Sequence, residues 1–329
     1  MTAALAPPTW AAPLATAGIS GVGTALPEHR LTNADLEARL DTTDAWITAR
    51  TGIRERRTGG STGVLAVAAG RRALDAAGID PATLDLTILA TSTPDRTMPA
   101  TATHVQAALG AGGGALDVNA ACAGFVYALL AGFGMIGLGS GRVLVIGADA
   151  MSRITDPDDR GTAILFGDGA GALVLDATTQ HGLAAGARPG LLGCDTGSDG
   201  DLAHLLFAEH GGHIAMVGRE VFRQAVRVSV DSARRALDHA GLAAADVDLF
   251  VPHQANRRII DTVADRLGIS PGRTVSVLDE TGNTSAASIP LGLAAADADG
   301  RLRSGSTVLL SGFGAGMSWA TAVVRWGPA

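Results

Sequence analysis

The chain has 329 residues, of which 47% are hydrophobic, 17% charged and only 4% aromatic, enough apolar material for two domain-sized cores built from Ala, Val, Leu and Ile around many glycines. A formal net charge of -7 argues against non-specific nucleic-acid binding, and with arginine supplying all 25 basic residues, chemistry that needs a lysine (pyridoxal phosphate, Schiff-base aldol reactions, P-loop nucleotide hydrolysis) is excluded. Two cysteines make no disulfide framework and fit a reducing cytoplasm.

Residues 1–17 lack a basic region and carry prolines where the core of a signal peptide would run, so they read as a flexible tail. Seven apolar runs follow: "GISGVGTAL" from Gly18, "LDLTILATST" from Leu84, "RVLVIGADA" from Arg142, "GALVLDA" from Gly171, "DVDLFVPHQ" from Asp246, "STVLLSGFG" from Ser306 and "WATAVVRW" from Trp319. They read as buried strands separated by helical patterns, which predicts an α/β protein with a mainly parallel sheet covered on both faces. From Val118 to Ser140 no charge interrupts the chain, a length that could cross a bilayer. Its glycines and the strand pattern directly after it predict instead a helix buried inside protein.

The chain also resembles itself. "RRALDAAGIDPATLDLTILATST" from Arg71 matches "RRALDHAGLAAADVDLFVPHQAN" from Arg234, each reading helix, turn, strand, and the Asp-Leu pairs Asp85-Leu86 and Asp248-Leu249 recur in register. Two duplicated halves are therefore expected, 18–176 and 177–329.

Duplication would bring three chemical groups to the carboxyl ends of strands, where open α/β sheets build their sites. Cys122, in "DVNAACAGF", opens a helix among small residues, and the helix dipole is expected to lower its pKa. His253, in "PHQAN", ends a strand, and Asn283, in "ETGNTSAAS", opens a helix. Each has a plain structural reading as well: an inert buried thiol, a core imidazole, a helix cap. A Cys, a His and an Asn at separate points would also suit a papain-like protease. Cys194, in "GLLGCDTG", carries no such neighbours and reads as a core thiol.

With "TTDAWITARTGIRERR", "DRGTAILFGDGAGALVL", "GREVF" and "GFGAGMSWA", these motifs resemble β-ketoacyl-acyl carrier protein synthase III from about Gly18 onward. The resemblance implies a thiolase-like, five-layered αβαβα fold from two duplicated halves, assembled as a cytoplasmic homodimer. It implies decarboxylative condensation of acyl-CoA with malonyl-acyl carrier protein, with no metal and no cofactor. Cys122 would be the nucleophile, His253 and Asn283 the decarboxylation pair, Ala315 with Cys122 the oxyanion donors through their N–H groups, and Phe313 the divider between nucleophile and pair. Trp46, Arg50, Arg160, Gly161, Phe222 and Asn256 would hold CoA and its pantetheine arm. Arg223, Arg258 and Arg266 would receive the acidic carrier protein, although Asp265 departs from the basic pattern there. Met98 would reach the acyl pocket of the dimer partner, where acetyl-specific members carry phenylalanine. A homologue of secondary metabolism that loads an unusual starter, or passes an acyl group to another acceptor, is the alternative.

Overall fold

The structure, a computed structural model, describes residues 17–177 and 189–328. The tail to residue 16 lies outside the described residues, and Ala17 already starts the first strand. The seven apolar runs each contain a strand, and two more join them. In chain order these are β1 (Ala17–Ala25), β2 (Leu86–Ala90), β3 (Gly114–Val118), β4 (Arg142–Ala150), β5 (Asp168–Ala177), β6 (Gly190–Ser198), β7 (Leu249–Pro252), β8 (Thr307–Gly314) and β9 (Ser318–Arg325). The long helices are α1 (Asp44–Thr51), α2 (Thr62–Ala77), α3 (Thr101–Leu109), α4 (Gly124–Gly137), α5 (Gly218–Ala240), α6 (Arg257–Leu267) and α7 (Ser288–Ala298).

One sheet runs β1-β5-β4-β2-β3, the other β6-β9-β8-β7, and a single bridge from Phe250 to Thr274 stands where a fifth strand would pair. The second order repeats the first. Helices α4 and α7 pack between the sheets, with Phe125, Leu129 and Phe133 meeting Val251, Leu293 and Leu310 in one core. Helices α2 and α3 cover the outer face of the first sheet, and α5 and α6 that of the second. These are the five layers.

The repeated residues have repeated work. Helices α2 and α5 both end on a left-handed glycine, Gly78 and Gly241, followed by a short 3-10 turn into β2 or β7. Asp85 then accepts the N–H of Arg142 at 3.1 Å, and Asp248 that of Thr307 at 2.8 Å, so each recurrent aspartate pins the start of the neighbouring strand.

The sheets are not mainly parallel. The pairs β2/β3, β2/β4 and β7/β8 are parallel, whereas β1/β5, β4/β5, β8/β9 and β6/β9 are antiparallel. A strand buried on both faces is apolar whichever way its neighbours run, so the runs carry no direction; the tight turn between Gly314 and Ser318 forces β8 and β9 to oppose. Within the uncharged segment lies the 14-residue helix α4, buried in the central layer along Phe125, Leu129 and Phe133 and exposed toward its C-terminal end at Met135.

Candidate active site

Cys122 sits in a 3-10 turn, Ala121–Ala123, immediately before α4. Ala121 takes the left-handed conformation, φ 46°, and its N–H is held by Asn119 Oδ1 at 3.1 Å. The Ala123 N–H goes to the Ala120 carbonyl at 3.1 Å, and the Cys122 N–H between them makes no main-chain hydrogen bond among the described residues. Behind it runs the end of β8, close enough that a Cβ on Gly314 would stand 2.6 Å from the Cys122 nitrogen; only glycine fits.

Asn283 occupies the equivalent turn of the second half. Its Oδ1 accepts the Ser285 N–H at 2.9 Å, and Ser285 is again left-handed, φ 51°. The bond consumes the acceptor end of the amide and leaves the two N–H donors of Nδ2 for the cavity. The main chain of Asn283 is stitched to the first half by its N–H to Leu165 O at 2.8 Å and by Gly167 N to its own carbonyl at 3.0 Å. Arg56, wholly buried, supports the same junction by donating to Ile164 O and to Asn33 Oδ1. A Cβ on Gly282 would meet both the Leu165 carbonyl and Arg56 at 2.8 Å.

His253 follows β7. Its N–H reaches Ser311 O at 2.8 Å and its Nδ1 lies 2.7 Å from the Ser288 hydroxyl, while Gln254 anchors the bend by accepting the Val277 N–H at 3.0 Å. Phe313 stands beside it, ring centroids 6.4 Å apart and tilted by 58°. Burial pushes the imidazole down to about 3, so it is neutral at physiological pH. The Ser288 hydroxyl can either donate to a bare Nδ1 or accept from an Nδ1–H; only the first arrangement puts the proton of the neutral imidazole on Nε2.

Cys122, His253, Asn283 and Phe313 line one cavity of about 610 Å³. Its mouth holds Trp46 between two guanidinium groups, Arg50 at 5.5 Å and Arg160 at 5.2 Å from the ring centroid. Gly161, Phe222, Arg223, Asn256 and Arg258 line it too. Asn256 caps α6 and reaches the Arg50 carbonyl at 3.1 Å, and Arg258 stacks over Phe222 at 5.5 Å.

A second cavity, about 310 Å³, opens on the other side of Cys122 between Met151, Ile154, Phe166 and Phe207, with Ala315 at its edge. Of those four side chains only Phe166 lies in a quoted motif, "DRGTAILFGDGAGALVL", and none of them was assigned a role from the sequence. Met98 lines neither cavity and is 80% exposed in the single chain; Arg266 is on the surface, outside both. Cys194 is buried in β6 and lines neither cavity.

The Cys122 thiol does not behave as its position before α4 suggests. Burial pushes it up to about 12, with the Asp149 carboxylate adding to the rise; the Ser285 hydroxyl and the residue's own N–H only partly offset this. Desolvation of the buried thiol outweighs what one helix end supplies.

The chain matches the family model described as 3-oxoacyl-[acyl-carrier-protein (ACP)] synthase III over residues 116–200 and the model of its C-terminal part over 237–326. A β-ketoacyl-[acyl-carrier-protein] synthase III of Bradyrhizobium diazoefficiens is 49% identical over 320 residues, 94% of this chain and 98% of that protein. The crystal structure of 3-oxoacyl-[acyl-carrier-protein] synthase III from Aquifex aeolicus superposes with a TM-score of 0.90 at 41% identity, covering 94% of this chain and 100% of that one. The priming β-ketosynthase of a polyketide pathway superposes with a TM-score of 0.88 at 37% identity, covering 99% and 100%.

Proposed function

The chain belongs to the 3-oxoacyl-[acyl-carrier-protein] synthase III family, and from that premise we propose how its own residues carry out the condensation. The enzyme joins an acyl starter from acyl-CoA to malonyl-acyl carrier protein and releases CoA and CO2, the step that initiates fatty-acid or polyketide chains. The observation that supports this reading is the meeting of Cys122, His253 and Asn283, from three distant points of the chain, in one cavity with a base-stacking mouth.

Cys122 attacks the thioester carbonyl, CoA leaves, and the acyl group stays on sulfur. Malonyl-acyl carrier protein then enters the same cavity. Loss of CO2 leaves a thioester enolate, and the donors able to meet its oxygen are His253 Nε2–H and the Asn283 amide. The enolate carbon attacks the acyl-Cys122 carbonyl, whose oxyanion is met by the N–H groups of Cys122 and Ala315. Each such donor is worth roughly two to three orders of magnitude in rate, because it is already aimed where charge appears. Phe313 keeps the nucleophile apart from the pair. Neither step needs a metal or a resident cofactor.

Trp46 stacks the adenine while Arg50 and Arg160 pair with phosphate, and Gly161, Phe222 and Asn256 flank the pantetheine arm. The protein works as a homodimer. Among the described residues no helix is long and apolar enough to cross a membrane, and the cytoplasm, where both substrates are made, is its place. Incubation with acyl-CoA and malonyl-acyl carrier protein tests the whole reading: CO2 and a β-ketoacyl carrier protein are expected in equal amounts, and CoA release without CO2 would favour simple acyl transfer.

Arg223, Arg258 and Arg266 form the docking face for the acidic carrier. Arg223 is tied to Glu220 at 3.2 Å, whereas Arg258 and Arg266 make no ion pair among the described residues, and of these two only Arg258 lines the cavity. Arg258→Glu is therefore expected to raise KM for the carrier protein with a steep salt dependence and to leave acylation by acyl-CoA nearly unchanged. Equal damage to both half-reactions would mean a structural role.

Met98 of one subunit fills the acyl pocket of the other. An unbranched thioether yields space that a phenyl ring would take, and pockets discriminate by about 1 to 3 kcal/mol per methylene. Starters of roughly four to eight carbons are expected to prime at least as well as acetyl-CoA, on that same arithmetic. Met98→Phe should return the preference toward acetyl. Measured kcat/KM across the starter series decides, and an unchanged profile in the variant removes Met98 from chain-length control.

A further inference from the structure

The imidazole of His253 is tied to the protein at one atom. Its ring is buried, and the one side chain it bonds among the described residues is Ser288, the first residue of α7, whose hydroxyl lies 2.7 Å from Nδ1. Nε2 makes no hydrogen bond among the described residues, and His253 lines the larger cavity, so this second nitrogen is the one left for a ligand.

The first half builds the same corner without polar side chains. There the 3-10 turn Ala121–Ala123 runs into α4 at Gly124, as Ser285–Ala287 runs into α7 at Ser288, and counting on from Asp85 and Asp248 puts Ala90 where His253 stands. A Cβ on Gly124 would lie 3.3 Å from the Ala90 Cβ, so strand end and helix start face each other in that half too. The backbone of the corner therefore requires neither imidazole nor hydroxyl, and the second half carries both as a pair.

Hydrogen-bond accounting decides which member of the pair donates. Burial keeps the imidazole neutral, so it holds one ring proton, on either Nδ1 or Nε2. Ser288 is 1% exposed, and its hydroxyl has no other partner among the described residues. If Nδ1–H donated, the hydroxyl would accept, and its own proton would be sealed in the core without an acceptor, the costly case of a buried unpaired donor. If the hydroxyl donates, its proton and the Nδ1 lone pair are both satisfied. Only oxygen lone pairs are then left over, which proteins leave unpaired more readily than donors.

We propose that Ser288 is a positioning residue for decarboxylation: its hydroxyl donates to His253 Nδ1 and so fixes the imidazole as the Nε2–H tautomer, a deepening of the condensation reading on which it rests. When the bond from the malonyl α-carbon to its carboxylate breaks, CO2 departs and the electron pair moves into the enolate, whose charge gathers on the thioester oxygen. A neutral Nε2–H meets that oxygen as a donor beside the Asn283 amide, whereas the other tautomer would face it with a lone pair. No proton leaves the ring, so the imidazole enters the next turnover unchanged. Acylation of Cys122 draws on the N–H groups of Cys122 and Ala315 and does not call on the tautomer.

Nitrogen-15 NMR of the histidine-labelled enzyme reads the tautomer directly, with the His253 signals identified by their loss in His253→Ala. Protonated and bare ring nitrogens resonate far apart, and the unmodified enzyme is expected to show Nε2 protonated and Nδ1 bare. Ser288→Ala should replace that single pattern by a mixture of tautomers; alanine is no larger than serine, and the first half builds the corner with glycine, so the fold is expected to hold. In this variant single-turnover CO2 release from malonyl-acyl carrier protein should fall at least about tenfold, toward the two to three orders of magnitude that a lost donor costs. Acylation of Cys122 by acetyl-CoA and butyryl-CoA, read by intact mass, should stay within about twofold. If the unmodified enzyme releases no CO2 yet shows an Nε2–H pattern that Ser288→Ala loses, the condensation reading falls and the tautomer assignment stands. A protonated Nδ1 in the unmodified enzyme, a result that needs no variant, overturns the proposal. So does unimpaired CO2 release in Ser288→Ala, or an equal loss of both half-reactions, which a merely structural serine would give.

Discussion

Cys122→Ala is expected to lose both half-reactions, by roughly four orders of magnitude or more, while Cys194→Ala keeps them. The two cysteines are matched controls. Both are buried, and burial lifts both thiols, to about 12 at Cys122 and about 11 at Cys194. They differ in what they face. Cys122 borders two cavities and its N–H makes no main-chain hydrogen bond among the described residues, whereas Cys194 lies within β6, and its contact with His239, at 2.7 Å, uses its carbonyl and not its sulfur. Truncating Cys194 should cost about 1 kcal/mol of stability and nothing in rate. Intact mass after acyl-CoA treatment reads the result directly: an acyl adduct persisting in Cys122→Ala would move the nucleophile elsewhere.

Asn283→Asp is expected to acylate normally and to release CO2 from malonyl-acyl carrier protein at least about a hundredfold more slowly. One carboxylate oxygen can keep the bond to the Ser285 N–H, so the turn survives. The other oxygen replaces the Nδ2 donors with lone pairs and sets a negative charge against the forming enolate. The loss should shrink in acid. The introduced carboxyl is buried, which raises its pKa, so it becomes a neutral donor as pH falls through that raised value. Single-turnover CO2 release against pH measures this, and unimpaired decarboxylation would take Asn283 out of the mechanism.

The duplication could be read without coordinates because its residues act locally. A glycine that ends α2 or α5 and an aspartate that pins the next strand do the same work in each half, so selection of backbone shape left the same letters at Gly78 and Gly241 and at Asp85 and Asp248. Motif order likewise brought Cys122, His253 and Asn283 forward as one constellation, and the cavity holds all three. Strand direction was not legible, since an apolar run buried on two faces has no sign.

What tertiary structure alone decided is the environment of those groups. Helix position predicted a lowered thiol pKa, but desolvation depends on everything that surrounds Cys122, including β8 from the other half, and it acts the other way. Arg56, Ser285 and Ser288 fall inside quoted motifs and Asp149 inside an apolar run, yet no role was assigned to them, because a buried arginine or a core hydroxyl takes its meaning from partners more than twenty residues away. Sequence determined which groups are present and the local turns that display them; the packing of two sheets around α4 and α7 determined their charge, their solvent and their neighbours, because those are properties of the space between elements and not of any one of them.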